Sequence, residues 1–76
     1  MSLKILDTVV VLSDLPTHGL KRGDIGAVVE IYAPEVVEVE FVTAAGTTQA
    51  VVTLSTDQLR PVGPRDLLAV RQLDAA

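Results

Sequence analysis

Carboxylates are the most concentrated chemistry in this chain: Glu30, Glu35, Glu38 and Glu40 fall within eleven consecutive residues that include no Lys or Arg. Clustered carboxylates can hold a metal ion or act as general acid and base. The second role needs at least one carboxyl whose pKa is raised in a water-poor cleft. Glu38 and Glu40 alternate with Val37, Val39 and Phe41, so both project from one face of a strand and stay hydrated. A paired neighbouring strand would bring Glu30 beside them. Three uses compete: a solvated outer face, a docking patch for a basic partner, and a catalytic or metal-binding pair. The last is the weakest.

The remaining reactive side chains are sparse. His18 is the only histidine and there is no cysteine, so a disulfide or a thiolate metal site is excluded and a zinc site would rest on carboxylates. His18 lies between Thr17 and Gly19, where it reads as a loop-forming hydrogen bonder, and no nucleophile motif accompanies the scattered Ser, His and Asp. No catalytic, cofactor-binding or metal-ligating residue is therefore assigned, and the chain is read as a non-enzyme. Lys21-Arg22 is the only adjacent basic pair. It could contact a phosphate or an acidic partner, or be a solvated loop tip beside Asp24. A nucleic-acid site usually shows a basic patch with stacking aromatics, whereas this chain has a net charge of −4 with one Tyr and one Phe. Nucleic acid is the disfavoured partner. Tyr32 ends a strand next to Pro34, where its amphipathic ring could anchor a partner or pack at a rim.

These groups must be carried by a small scaffold. The chain has 76 residues, 49% of them hydrophobic, and a mean hydropathy of +0.44. A domain of this mass buries only about 60% of the surface of its unfolded chain. So many Val, Leu and Ile side chains exceed what one small interior can hold, which points to a homo-oligomer, most simply a dimer, or to an apolar docking surface. No apolar run is long enough to span a membrane or serve as a signal peptide, so the protein is expected in the cytoplasm.

Short runs rich in Val and Ile recur about every ten residues between Pro, Gly, Asp, Ser and Thr, the punctuation of an all-β meander. Strands are expected over residues 7–12, 25–32, 36–42 and 47–54. In the second, Ala27, Val29 and Ile31 share one face and Val28, Glu30 and Tyr32 the other. Thr43-Ala44-Ala45-Gly46 makes the hairpin turn before the fourth. A helical or 3₁₀ turn over residues 55–59 precedes a short closing strand over 60–62. This is the layout of a five-stranded SH3-like barrel over residues 1–62. Leu15 and Leu20 in the long loop over 13–24 are expected to plug its open end. Residues 63–76 form a C-terminal extension after Gly63-Pro64, either a short helix from Pro64 with Leu67, Val70 and Leu73 on one side or a flexible tail. Val28, Val36, Val42 and Val51 are expected to point outward, which would make the second sheet face apolar too.

The blocks Leu6-Asp7-Thr8-Val9-Val10, Asp14-Leu15-Pro16, His18-Gly19-Leu20-Lys21-Arg22-Gly23-Asp24-Ile25-Gly26, Val28-Val29-Glu30, Glu38-Val39-Glu40-Phe41-Val42 and Leu59-Arg60-Pro61-Val62 resemble the DUF4926 family of small bacterial proteins. The resemblance covers about residues 5–62 and implies a small SH3-like barrel. It also implies companionship with other small proteins, some of them similar to toxin and antitoxin pairs, and brings no catalytic residues. A weaker similarity joins Lys21-Arg22-Gly23-Asp24-Ile25-Gly26-Ala27-Val28 to the KOW element of ribosomal and transcription-elongation proteins.

Residues and resemblance together point to a non-catalytic protein-interaction module, antitoxin-like or otherwise a regulatory companion. It would dock through an exposed strand edge and a face bearing Val28, Tyr32 and Val51, with Glu30, Glu38 and Glu40 steering it toward basic surface. The alternative is a KOW-like module that binds RNA or the ribosome through Lys21 and Arg22.

Overall fold

In a computed structural model, which describes residues 2–73, the chain forms five strands and two 3₁₀ turns. The strands are β1 (Thr8–Val11), β2 (Ile25–Ala33), β3 (Val36–Val42), β4 (Thr48–Ser55) and β5 (Leu59–Pro61), all antiparallel in one sheet of order β4-β3-β2-β1-β5. The first four make a meander, and β5 returns to pair with β1. No ladder joins β4 to β5, so the five-stranded all-β layout stands while the sheet is open.

The alternating pattern of β3 is the axis of the fold. Val37, Val39 and Phe41 are buried, and they meet Val9 and Val11 of β1, Val28 of β2, Val52 and Leu54 of β4, Leu59 of β5 and Leu20 of the long loop. Leu15 packs against this core and bridges to Leu20, as expected of a plug. Gly46, at φ +83°, turns β3 into β4 through a Gly46 N–H to Thr43 carbonyl bond of 2.9 Å; a left-handed residue there suits glycine. Before β5, Ser55 caps the 3₁₀ turn Thr56–Gln58, whose Gln58 side chain accepts the Ser55 N–H at 2.9 Å.

One expectation is corrected. Val28 is not outward: it is fully buried, opposite Val39. A bulge between Val28 and Glu30 inserts one residue, so the faces exchange there and alternation cannot be carried through it. After the bulge the expected order returns, with Glu30 opposite Glu38 and Ile31 opposite Val37. Of the two forms expected for the C-terminal extension, the helix does not form in residues 63–73; the segment is irregular and fastened by ion pairs from Arg60 to Asp66 and from Arg71 to Asp24. Among the described residues no helix is long and apolar enough to cross a membrane.

Candidate functional site

Cross-strand partners share a side of the sheet, so the register defines what the outer side of β2, β3 and β4 presents. Down β3 the outward residues are Val36, Glu38, Glu40 and Val42. Glu38 lies between Glu30 of β2 and Thr53 of β4, and Glu40 between Ala27 of β2 and Val51 of β4. The sheet therefore brings Glu30, Glu38 and Glu40 together, as alternation within β3 and pairing with β2 require. Val36, Val42 and Val51 are exposed around them, Val42 and Val51 by nearly half their surface.

Two hydroxyls organise the carboxylates. The Tyr32 hydroxyl donates to Glu38 Oε2 at 2.7 Å, and the Thr48 hydroxyl donates to Glu40 Oε2 at 2.6 Å. Each bond fixes one carboxylate oxygen and leaves the other for a ligand. The bond to Glu38, with a smaller repulsion from the Glu38 and Glu30 charges, raises the Tyr32 phenol above its ordinary pKa of 10.0. Tyr32 thus belongs to the carboxylate cluster, and 58% of its surface remains exposed. Neither of the ion pairs recorded among the described residues uses Glu30, Glu38 or Glu40. Among the described residues no three His, Asp or Glu side chains form a set that could hold a metal ion.

The other candidates lie elsewhere. His18 ends the 3₁₀ turn Pro16–His18, is exposed, and donates its backbone N–H to the Leu15 carbonyl at 3.0 Å. Lys21 and Arg22 are exposed at the loop tip, and their backbone N–H groups donate to Asp24 Oδ2 and Asp14 Oδ1, each at 2.8 Å. Two carboxylates therefore anchor the backbone of the basic pair.

Reasoning from the sequence missed the attachment of the tail. Arg71 donates from Nε to Asp24 Oδ1 at 2.7 Å and from Nη2 to Asp24 Oδ2 at 2.6 Å and to the Gly19 carbonyl at 3.1 Å. The guanidinium, together with the Lys21 backbone N–H, holds the Asp24 carboxyl below the usual value against a smaller opposing effect of burial. Nothing in the local sequence signals a contact across 47 positions. The second attachment was readable in principle. Asp66 stands three residues after Gly63, where its carboxylate accepts the Gly63 N–H at 2.7 Å and its own N–H returns to the Gly63 carbonyl at 3.1 Å.

Fold and face together define a small all-β domain, a five-stranded antiparallel sheet whose outer side carries a cluster of carboxylates flanked by exposed aliphatic groups. Residues 5–61 match the family described as Domain of unknown function (DUF4926), and the chain belongs to that family. The match ends at Pro61, the last residue of β5, so the tail lies outside it. No curated protein and no solved structure matches the chain.

Proposed function

We propose that this protein is a non-catalytic protein-interaction module that docks the outer side of β2, β3 and β4 on a partner carrying basic and apolar surface. The observation that carries the reading is the composition of that side: Glu30, Glu38 and Glu40 stand outside the recorded ion pairs and are framed by exposed Val36, Val42, Val51 and Tyr32. Carboxylates steer the encounter, while aliphatic and aromatic groups supply the area buried on contact.

A second copy is a poor occupant of this face, because three carboxylates would meet three carboxylates. A homodimer would instead use the free edge of β4, whose eight residues carry no proline. The companion role implied by the family resemblance, antitoxin-like or otherwise regulatory, is the form we propose for the function, with the cytoplasm as its setting. The alternative, KOW-like binding of RNA through Lys21 and Arg22, draws on the exposure of that pair and is opposed by the chain's net charge of −4.

The test is a nuclease-treated pull-down with the wild type and with Glu38→Lys/Glu40→Lys. One protein retained by the wild type and lost by the charge-reversed variant supports the reading. Equal retention by both removes the face from the function, and RNA captured at low salt and lost on Lys21→Ala/Arg22→Ala substitution replaces the reading with the alternative.

A further inference from the structure

The tail lies across a cleft without filling it. The cleft has a volume of about 580 Å³ and an apolar lining of Leu20, Ile25, Phe41 and Val42, with Asp24 at one side. That size falls in the roughly 300–1,000 Å³ range of ligand pockets. Residues 69–73 border it; Val70 is 97% exposed and points its aliphatic group into water, while Leu73 is partly covered at 40% exposed. Of the tail residues beside the cleft, Arg71 makes the fixed polar attachment.

The receiving side of that attachment is a built socket. The Asp24 side chain is only 15% exposed, and its Oδ2 also accepts the Lys21 N–H at 2.8 Å, which fixes the orientation of the carboxylate. Both oxygens face the Arg71 guanidinium, and the Gly19 carbonyl accepts a further N–H from it. A planar fork of N–H donors matches this arrangement, whereas a lysine ammonium would act only as a point charge.

We propose that this cleft is a peptide-binding site for an arginine-bearing, apolar segment of a partner protein, with Arg71 and its neighbours as a resident substitute bound in cis. The arginine of the incoming segment replaces Arg71 on Asp24 and Gly19, and its apolar side chains lie against Ile25 and Val42, the apolar lining that stays accessible beside the resident tail. A tether as short as residues 63–70 gives the tail an effective concentration on the order of millimolar. The tail therefore excludes weak arginine peptides and yields to a segment that also fills the apolar part. The site shares only Val42 with the outer side of the sheet and does not depend on the docking reading above.

The test uses the full chain and a fluorescein-labelled peptide of residues 64–73, read by fluorescence anisotropy. Arg71→Ala removes the competitor, so it should bind the peptide at least tenfold more tightly than the wild type does. Asp24→Asn added to Arg71→Ala should reverse that gain, and the same peptide with Ala in place of Arg71, its Arg65 kept, should bind neither chain. Arg71→Lys, which keeps the charge and lacks the fork, should fall between, and serves if Arg71→Ala does not fold. Equal binding by wild type and Arg71→Ala, or equal binding of the peptide with Ala in place of Arg71, overturns the site. A wild-type dimer by light scattering that Arg71→Ala returns to monomer assigns the socket to a second copy and overturns the partner.

Discussion

Replacing Gly26 by alanine should be the most damaging single-methyl change in this protein. Gly26 is buried at the start of β2, opposite Val9, and β3 lies against it so closely that a Cβ would stand 2.6 Å from Val39 Cγ1, 2.9 Å from the Glu40 carbonyl oxygen and 3.0 Å from Phe41 Cδ1. Ordinary carbon contacts lie at about 3.5–4.0 Å. Relief would have to come from a fully buried valine and from strand backbone, neither of which can swing away, so the ladder between β2 and β3 must open. Overpacking of this kind costs about 1–3 kcal/mol, and a clash against backbone belongs at about 3. In a domain of this size each kcal/mol lowers Tm by about 4–8 °C, so Gly26→Ala should melt about 12–24 °C below the wild type by circular dichroism. Gly46→Ala is the control. Nothing lies within 4 Å of its Cβ, and only the left-handed backbone at φ +83° is strained, which costs about 1 kcal/mol. If Gly26→Ala melts within about 4 °C of the wild type, an effect below about 1 kcal/mol, then β2 and β3 do not approach as described.

The remaining expectations concern faces and titrations. Val28→Ala should lose about 2 kcal/mol by urea denaturation, since it empties a fully buried site. Val51→Glu, at a half-exposed outer position, should change stability by no more than about 0.5 kcal/mol while weakening partner binding. The chain's single tyrosine makes its ultraviolet absorbance titration unambiguous: the midpoint should lie above 10.0 and move down toward it in Glu38→Gln. Because the folded phenol holds its proton more tightly, the associated stability is complete below the unfolded pKa and disappears as pH rises through the folded one. Asp66 behaves in the opposite sense. Hydrogen bonds from Arg60 and the Gly63 backbone bring its pKa to about 2, so its contribution is present above the ordinary carboxylate value of 3.8 and disappears as pH falls toward 2; Asp66→Asn should flatten that part of a plot of Tm against pH.

Strict alternation made β3 readable to the residue, since Val37, Val39 and Phe41 cannot change faces without exposing the core. Glu38 and Glu40 were placed correctly for the same reason, and Glu30 followed from pairing. Val28 was misplaced because a bulge leaves no mark in a run such as Ala27-Val28-Val29; which valine is the extra residue is decided by the register against Val39. The tail was open to misreading for a different reason. The aliphatic spacing of Leu67, Val70 and Leu73 suits a helix, but a segment this short needs a surface to dock on, and here two arginine–aspartate pairs hold it in an irregular course. The Asp24 socket depends on a loop and a tail that only the tertiary fold brings together.

The return of β5 to β1 has a kinetic consequence. The hairpins linking β2, β3 and β4 are local, whereas pairing Val9 with Pro61 closes a loop of about fifty residues, an entropic cost of roughly 3.5 kcal/mol that must be met before the contact gives anything back. Refolding should therefore nucleate in the meander, with Val39→Ala slowing folding and Leu59→Ala mainly accelerating unfolding in stopped-flow measurements. Within this domain the strand made first is then among the last to gain its full set of neighbours, because β1 must wait with one edge bare until the chain has been made past Pro61.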